Sequence, residues 1–419
     1  MKDAYDVPVE TASARLEAFG HAWADAHAGA AEPVLLGQAH GRVLAQDVRA
    51  RDAHPNVDDA ALDGIACRVA DTRDASEASP ATLRLIGTSH AGRPFDGRLS
   101  AGEAIRIMTG AAVPEGADGI VPVETLREEG EVVKVFAPAR AEAIRAAGQD
   151  LEAGAVGLPA GRRIDAAALG LAATMGHDTV QVRPTPRVAI LPTGDELVTP
   201  GGTLAPGEVY DGNGPALEAL ARVAGARPTL LPRVGDRGGA LEEAVDAALT
   251  GANPPDLFIS CGGISAGRAD LVRDLLEREG ELVFRRVRLK PGGPATFAHL
   301  RDVAWLALPG NPVSALVTFV VLARAWIDRA SGREGPLPFH TRIPADAGEP
   351  LAAAGGKTTL ARVTLAREAG RLTARSAGPQ NSGVLRTLTQ ANALAILPPH
   401  ARLEVGDPVD VVPLAPHFG

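Results

Sequence analysis

Strands and helices alternate along residues 187–333, and this alternation constrains the fold more than any other feature of the chain. Strands are predicted at 187–191, 227–231, 256–260, 283–289 and 303–308, and helices near 213–224, 238–250, 269–279 and 313–330. Such an alternation predicts a doubly wound α/β domain with a parallel sheet. Ligands of open parallel sheets bind in a crevice at the carboxyl ends of the strands. The loops that follow these strands are therefore the first candidates for a functional site.

Three of the predicted strands lead into loops that could line one crevice. They are Pro192-Thr-Gly-Asp-Glu196, Ser260-Cys-Gly-Gly-Ile-Ser-Ala-Gly267 and Pro309-Gly-Asn-Pro312. A glycine-rich loop before a helix can direct its backbone N–H groups toward a phosphate or another oxyanion. One such loop alone is equally well explained as a structural turn, but three together favour a ligand site. Asp270, where a helix begins, either caps that helix or holds a cation that bridges to the anion.

A basic strand precedes the last of these loops. Alternation along a strand places Arg286, Arg288 and Lys290 on one face. For the two arginines we favour an exposed edge-strand face, where charged side chains discourage aggregation. Lys290 differs because it ends the strand beside Pro291 and Gly292, where its ammonium group can meet a phosphate or an oxyanion.

The rest of the chain is predicted to be mostly β-structure. Residues 8–48 begin with an amphipathic helix, and a second helix is predicted from Asp165 to Met175. Other predicted strands are 82–86, 104–108, 119–123, 131–136, 383–388, 393–397, 403–405 and 408–412. Changes in composition place the domains at 6–48 plus 148–184, 49–147, 185–334 and 335–419.

Composition excludes several classes of function. The chain has 419 residues and a formal net charge of −9, which argues against a broad nucleic-acid-binding surface. Its two cysteines, Cys67 and Cys261, suggest neither a disulfide framework nor a zinc cluster, and they suit a reducing cytoplasm. The N-terminus has no apolar signal core. The apolar segment 313–327 is too short for a membrane span and contains Arg324, so we predict a buried helix and no membrane association.

A serine-hydrolase interpretation is possible but not favoured. Gly263-Ile-Ser265-Ala-Gly267 matches the nucleophile-elbow pattern. An elbow serine directly follows its strand, whereas this strand is predicted to end near Ser260. The downstream histidines, His299, His340 and His400, occur in contexts that suggest no catalytic role.

Seven segments form a characteristic set when they are taken in order. They are Asp58-Asp-Ala-Ala-Leu-Asp-Gly64, Ile105-Arg-Ile-Met-Thr-Gly-Ala-Ala-Val-Pro-Glu-Gly-Ala-Asp118, Pro192-Thr-Gly-Asp-Glu-Leu197, Val209-Tyr-Asp-Gly-Asn213, Ser260 to Asp270, Lys290-Pro-Gly292 and Leu308-Pro-Gly-Asn-Pro-Val-Ser314. Each of the first two, taken alone, is typical of an ordinary turn. Together, and in this order, the segments resemble the molybdopterin molybdenumtransferases, a family related to the second domain of gephyrin. The resemblance covers nearly the whole chain.

The resemblance implies an elongated four-domain subunit. Its domains are a discontinuous first domain, a β-rich insert, an α/β pterin-binding domain and a C-terminal β-barrel. Family members are homodimers in which the insert of one subunit faces the α/β domain of the other. Asp63, Thr109 and Asp150 would then contribute to a site shared between two chains.

The resemblance also implies a reaction, in which adenylylated molybdopterin and molybdate yield molybdenum cofactor and AMP. It assigns Glu196, Asp236 and Asp270 to a Mg²⁺ ion near the phosphates and Lys290 to the anionic substrate. Other proteins of cofactor biosynthesis and client molybdoenzymes are the expected partners. The implied substrate-binding residues are Thr193, Gly194, Asp195, Asn213, Gly262, Gly263, Ser265, Gly267, Pro309, Gly310, Asn311, Ser314, Arg362 and Ser382.

The chain departs from the family pattern at several basic positions. A second lysine usually follows the Lys-Pro-Gly segment, where this chain has Gly293, and Ala146 and Ala147 replace basic residues. Fewer cations predict weaker oxyanion binding. Five alternatives therefore stay open: an active transferase with cations supplied elsewhere, a paralogue for tungstate or a modified pterin, a weakened copy, a nucleotidyl- or pyrophosphate-handling relative, and a non-catalytic pterin-binding scaffold.

Overall fold

The computed structural model describes residues 5–237, 239–264 and 270–415. The chain divides into two compact units. The first unit comprises Met1–Glu32, Gly41–Val43 and Arg183–Gly419, and the second comprises Pro33–His40 and Leu44–Val182. The finer division into four domains stays a prediction. Among the described helices, none has both the length and the apolar character that a membrane span requires.

A six-stranded sheet forms the centre of the first unit. Its strands, in spatial order, are Arg227–Leu230, Arg187–Pro192, Leu257–Cys261, Val303–Leu308, Thr296–Leu300 and Glu281–Phe284. The first four strands are parallel and the last two pairings are antiparallel. The sheet is therefore mixed, although the predicted α/β fold is confirmed.

Side chains of this sheet alternate between two apolar cores. Val188, Ile190 and Ile259 face one core, whereas Ala189 and Phe258 face the other. Such alternation requires helices on both faces of the sheet. The first core is covered by Val9–Ala26, Asn213–Val223 and the helical segment 312–330, and the second by Ala240–Thr250 and Leu271–Glu279.

The helical segment 312–330 is the predicted buried helix. It runs from Pro312–Thr318 through a π-helical turn, Phe319–Ala323, to Arg324–Ala330, and every residue from Val313 to Ala330 is buried. Arg324 is buried in this segment, where an ion pair with Asp328 at 3.4 Å offsets part of the cost of burying its charge.

The predicted strand 283–289 is wrong as a single element. The chain divides there into Glu281–Phe284, Arg286–Val287 and Leu289–Lys290. These three segments pair with different partners: the central sheet, the N-terminal strand Asp6–Val7 and the barrel strand Thr358–Glu368. The antiparallel strand Thr296–Leu300 was not predicted. It forms a hairpin with Val303–Leu308 through Arg301 and Asp302, both of which have positive φ.

The C-terminal region is a closed five-stranded barrel. Around the barrel the strands are Thr358–Glu368, Arg371–Ser376, Ile343–Ala347, Pro408–Pro413 and Ala393–Leu397, which returns to the first. The predicted strand 383–388 is wrong, since this segment leads into the helix Arg386–Gln390. Its Thr387 and Leu388 are buried against the protein, so tertiary packing decides the conformation of a short apolar segment.

The second unit contains a six-stranded sheet as well. Its strands, in spatial order, are Gly119–Pro122, Gly64–Cys67, Glu103–Ile107, Ala81–Ser89, Val132–Val135 and Leu126–Glu129. Shorter strands include Val48–Arg49, Asp59–Ala60, Ile144–Arg145, Val156–Leu158 and Thr179–Val182. The helix Ala166–Thr174 begins after Asp165, whose carboxylate accepts a hydrogen bond from Ala168 N at 2.8 Å.

Candidate active site

Loops after three parallel strands line a cavity of about 670 Å³ at the carboxyl edge of the central sheet. Four carboxylates line it, those of Glu196, Asp211, Asp236 and Asp270, and its described lining contains no lysine or arginine. We call it the acidic cavity. The other predicted residues that line it are Thr193, Gly194, Asn213, Gly262, Gly263, Pro309, Gly310 and Asn311.

Glycine allows the loops of the acidic cavity to approach one another closely. Gly262 has φ of +108°, and a β-carbon there would lie 2.5 Å from the carbonyl oxygen of Thr193. A β-carbon at Gly310 would lie 3.6 Å from the Cα atom of Gly262. The sheet ladder also continues into the loops, because Thr193 N donates to Cys261 O and Gly262 N donates to Leu308 O, both at 3.0 Å. The three loops therefore form one continuous wall.

Asn213 places an unpaired acceptor at the acidic cavity. Its side-chain amide donates to Gly310 O at 2.7 Å and to Cys261 Sγ at 3.3 Å. Its Oδ1 is buried and accepts no hydrogen bond from any described residue. A buried acceptor without a partner is costly, which points to a donor supplied by a ligand. Burial raises the pKa of the Cys261 thiol to about 12, so this thiol is protonated and is not a nucleophile at neutral pH.

The carboxylates of the acidic cavity differ in their surroundings. Asp270 is buried, and its side chain caps no backbone N–H of the following helix. Its Oδ2 lies 2.7 Å from Arg273 Nη1, which forms an ion pair without hydrogen-bond geometry. Glu196 and Asp236 are exposed. Asp195 does not line the cavity, but its Oδ1 accepts a hydrogen bond from Asp236 N at 3.1 Å and so positions that loop.

These carboxylates fit a divalent cation held jointly with a ligand. In the described ranges, no three histidine, cysteine, aspartate or glutamate side chains converge into a complete metal site. Mg²⁺ commonly binds one or two carboxylates and completes its shell with water and substrate phosphate oxygens. An acidic cavity with glycine loops beside it provides both kinds of contact.

A second cavity, of about 480 Å³, adjoins the first and has the opposite charge. Arg286, Lys290 and Lys357 line it, and no carboxylate does so among its described lining residues. We call it the basic cavity. It also contains the predicted residues Ser314 and Ser382, and it shares Pro294, Pro309, Asn311 and Gly383 with the acidic cavity.

Arg362, predicted to bind substrate, lines neither cavity. It is only 1% exposed, and burial lowers the pKa of its guanidinium. Its Nε donates to Thr387 Oγ1 at 2.7 Å, and its Nη2 donates to Pro379 O at 2.8 Å and Asn381 O at 3.2 Å. Arg362 is therefore a positioning residue that holds the segment before Ser382.

The second unit brings Asp63 and Thr109 together. The backbone N–H and the hydroxyl of Thr109 both donate to Asp63 Oδ1, at 2.7 and 2.8 Å. Both hydrogen bonds lower the pKa of Asp63 and keep it ionised, and the bond from the backbone N–H has the larger effect. Both residues line a surface pocket of about 520 Å³. Asp150 does not line that pocket; its N–H donates to His54 O at 3.1 Å in an exposed turn.

Ser265 and Gly267, predicted to bind substrate, lie outside the described residues. Sequence reasoning missed three residues of the cavities: Asp211, Arg286 and Lys357. The rarity of lysine could have drawn attention to Lys357, since only four of the 42 lysine and arginine residues are lysines. Arg286 was assigned to a solvated face, and Asp211 was not singled out in its segment.

Matches to known protein families cover nearly the whole chain. Three family models match: the MoeA N-terminal region (domain I and II) at residues 7–176, a probable molybdopterin binding domain at 189–329, and the MoeA C-terminal region (domain IV) at 344–414. The molybdopterin molybdenumtransferase of Haemophilus influenzae is 33% identical over 392 residues, which cover 91% of this chain and 93% of that protein. The molybdopterin molybdenumtransferase 2 of Mycobacterium tuberculosis is 38% identical over 379 residues, 87% of this chain and 90% of that protein.

Solved structures confirm the fold. A crystal structure of the molybdopterin biosynthesis MoeA protein from Pyrococcus horikoshii matches with a TM-score of 0.80 at 28% identity, and the match covers 99% of each chain. The chain therefore belongs to the molybdopterin molybdenumtransferase family of transferases.

Proposed function

We propose that this protein inserts molybdate into adenylylated molybdopterin and releases AMP, as a step of molybdenum cofactor biosynthesis. The observation that carries this proposal is a pair of adjoining cavities of opposite charge at the carboxyl edge of the sheet. One suits phosphates bridged by a divalent cation and the other suits a dianionic oxyanion. A substrate with a phosphoanhydride that must meet molybdate needs both.

The acidic cavity is proposed to hold the phosphates. Backbone N–H groups of the glycine loops around Gly263 and Gly310 would offer donors to phosphate oxygens. Glu196, Asp236 and Asp270 would hold Mg²⁺, which would offset the repulsion between carboxylates and the phosphoanhydride. Without a cation, four carboxylates around one cavity would disfavour a polyanionic ligand.

The basic cavity is proposed to hold molybdate. Lys290 and Arg286 provide positive charge, and Ser314 and Ser382 provide hydroxyl donors. In the reaction both thiols of the pterin form sulfur–molybdenum bonds, and one molybdate oxygen leaves as water with the two thiol protons. Cleavage of the phosphoanhydride consumes one water and yields AMP and the pterin phosphate. Molybdenum stays hexavalent throughout, so no oxidant or reductant is required.

We further propose that the active form is a homodimer in which Asp63, Thr109 and Asp150 serve a site shared between two chains. The support is the family resemblance together with the ordered Asp63–Thr109 pair at an exposed pocket. Mixing inactive Asp63→Ala with inactive Lys290→Ala protein should restore part of the activity through heterodimers. Absence of recovery despite demonstrated subunit exchange would mean that each site is built within one chain.

A cytoplasmic location and contacts with other cofactor-biosynthesis proteins and client molybdoenzymes also stay predictions.

One assay tests the reaction. Adenylylated molybdopterin and Mg²⁺ are incubated with molybdate, with tungstate and with neither oxyanion, while AMP and protein-bound metal are measured. We expect AMP and metal incorporation to require an oxyanion. AMP release without oxyanion would instead identify a nucleotide-cleaving relative, and pterin binding without AMP release would identify a scaffold.

A further inference from the structure

A third cavity, of about 310 Å³, is lined mainly by the C-terminal barrel. We call it the barrel cavity. Nine of the fourteen residues described at its wall are apolar, and Lys290 and Glu349 are the charged residues among them. Small-molecule sites are typically apolar pockets in which a few polar groups fix the orientation of the ligand. The barrel cavity has the size and the composition of such a site.

The three cavities form a row. The barrel cavity shares Lys290, Pro291 and Gln380 with the basic cavity. The basic cavity in turn shares four lining residues with the acidic cavity, among them Pro309 and Asn311. No described lining residue is common to the barrel cavity and the acidic cavity. The basic cavity therefore lies between the other two.

The chemical groups of the proposed substrate follow the same order. Adenylylated molybdopterin carries a pterin ring at one end, then a dithiolene, then the phosphoanhydride that leads to the adenosine. The phosphoanhydride is assigned to the acidic cavity and molybdate to the basic cavity, so the dithiolene has to reach the basic cavity. The pterin ring lies on the side of the dithiolene away from the phosphates, and it therefore extends toward the barrel cavity.

Glu349 presents a free carboxylate to the barrel cavity. It lies in the turn between the strands Ile343–Ala347 and Leu351–Ala352 and is half-buried. Arg375 is the neighbouring cation, but its guanidinium donates to Glu368, at 2.9 and 3.1 Å. Within the part of the chain that the structure describes, no donor lies within hydrogen-bond distance of the Glu349 carboxylate. A partly buried acceptor without a partner favours a ligand that supplies donors.

Other polar groups of the barrel cavity bond within the protein. The side chain of Gln380 accepts from Arg362 N at 2.9 Å and donates to Arg362 O at 3.0 Å. The hydroxyl of Ser376 donates to Gly378 O at 2.9 Å. Glu349 is therefore the acceptor of this cavity that remains available to a ligand.

A carboxylate matches the pyrimidine edge of a pterin. That edge carries two donors side by side, the 2-amino group and N3–H, and both oxygens of an ionised carboxylate accept hydrogen bonds. An adenine ring instead places the acceptor N1 beside its amino group, so one carboxylate oxygen would face another acceptor. The pterin of the substrate therefore fits Glu349 better than the adenine does.

We propose that the barrel cavity binds the pterin ring of adenylylated molybdopterin and that Glu349 recognises its 2-amino and N3–H groups. The inference rests on the proposed function, because it assigns the remaining part of the same substrate. It makes the barrel the part of the protein that distinguishes a pterin from other ring systems.

Exchange of the ring tests the assignment without depending on catalysis. Lumazine differs from pterin at C2, where a carbonyl oxygen replaces the amino group. The wild-type protein should bind pterin about tenfold more tightly than lumazine, because lumazine loses one charge-assisted hydrogen bond. Glu349→Gln should abolish or reverse this preference, since an amide offers both an acceptor and donors. Ligand-observed NMR on the full-length protein measures the affinity of each ring.

Two further variants serve as controls. Glu404→Gln makes the same substitution at an exposed residue of the C-terminal region that lines none of the three cavities, and both affinities should stay at the wild-type values. Ala352→Leu adds volume at an exposed position of the barrel-cavity wall. It should weaken the binding of both rings equally, with little change in Tm.

Kinetics connect the cavity to the reaction. Glu349→Gln should raise the KM for adenylylated molybdopterin about tenfold and leave the molybdate requirement within about twofold of the wild-type value. Equal binding of pterin and lumazine, no binding of either ring, or displacement of pterin by AMP would overturn the inference and leave the proposed function intact. A pterin preference that depends on Glu349 in a protein that inserts no metal would overturn the proposed function and support the pterin site.

Discussion

The acidic and basic cavities share a wall but are built in different ways. Glycine-rich loops at the ends of parallel strands form the acidic cavity, and its carboxylates come from those loops and their neighbours. The basic cavity takes its cations from the end of a short strand and from the barrel. Pro294, Pro309, Asn311 and Gly383 belong to both. A chain with a net charge of −9 thus contains a cavity whose described charged lining residues are all cations.

The largest expected effect is on the basic side. Lys290→Ala should reduce turnover roughly a hundredfold, which corresponds to about 3 kcal/mol in the activation barrier. Because Lys290 is exposed, the free energy of unfolding should change by only about 0.5 kcal/mol. Thermal melts and the metal-insertion assay on the same preparations check both values. If Lys290→Ala turns over like the parent, the basic cavity is not the reaction site.

Substitution of a carboxylate in the acidic cavity should change the Mg²⁺ requirement and not the molybdate requirement. Asp236→Asn removes an exposed charge of the acidic cavity and should raise the Mg²⁺ concentration at half-maximal rate by about tenfold, with partial rescue at high Mg²⁺. Its molybdate requirement should stay near the wild-type value. Titrations of both Mg²⁺ and molybdate on Asp236→Asn and Lys357→Ala would separate the two cavities. Equal changes in both requirements for both variants would mean that the cavities do not act separately.

Higher ionic strength should weaken molybdate binding more than pterin binding. Because Lys290 and Lys357 are exposed, raising the ionic strength from 0.05 to about 0.3 M should weaken molybdate binding about threefold. Pterin affinity should change less, since backbone donors and Asn213 contribute without net charge. Kinetics in sodium chloride, with Lys357→Ala as the comparison, measure this difference. A variant with the same salt dependence as the wild type would argue against a direct charge contact.

The smallest effect concerns Asp63. Loss of the hydroxyl in Thr109→Val should raise the pKa of Asp63 toward its ordinary value, because one of two hydrogen bonds to the carboxylate is removed. The stabilisation linked to a lowered carboxyl pKa is present above the unfolded-state pKa and is lost as the pH falls through the folded-state pKa. The acid limb of the pH–rate profile should therefore move to higher pH in Thr109→Val. An unmoved limb would mean that Asp63 does not control activity.

The same contrast explains what the sequence could predict. The acidic cavity was largely predictable, because Gly194, Gly262 and Gly310 follow apolar strands and such loops meet at one edge of a parallel sheet. Most residues of the basic cavity could not be predicted from the sequence. Lys357 belongs to a loop whose place depends on the pairing of Lys290 with Thr359, and no local pattern encodes a pairing between residues so distant in sequence.

Packing also overrode local preference at two elements. Residues 281–290 form three short strands because their partners lie in three different elements, although the alternating pattern suggested one strand. Residues 386–390 form a helix, and its Thr387 accepts a hydrogen bond from the buried Arg362. The burial of Arg362 could not be inferred from a sequence in which arginine is the common basic residue and is usually exposed.

The three-way pairing of residues 281–290 has a consequence for modular engineering of this protein. Leu289–Lys290 is bonded to the barrel strand that follows Lys357, so a chain cut near residue 335 would lose both the strand partner of Lys290 and the second lysine. An isolated α/β fragment would keep the glycine loops of the acidic cavity and lose Lys357, one of the three cations of the basic cavity. Exchange of the barrel between relatives would therefore change the basic cavity, because the register of the barrel strand determines which of its residues lies beside Lys290.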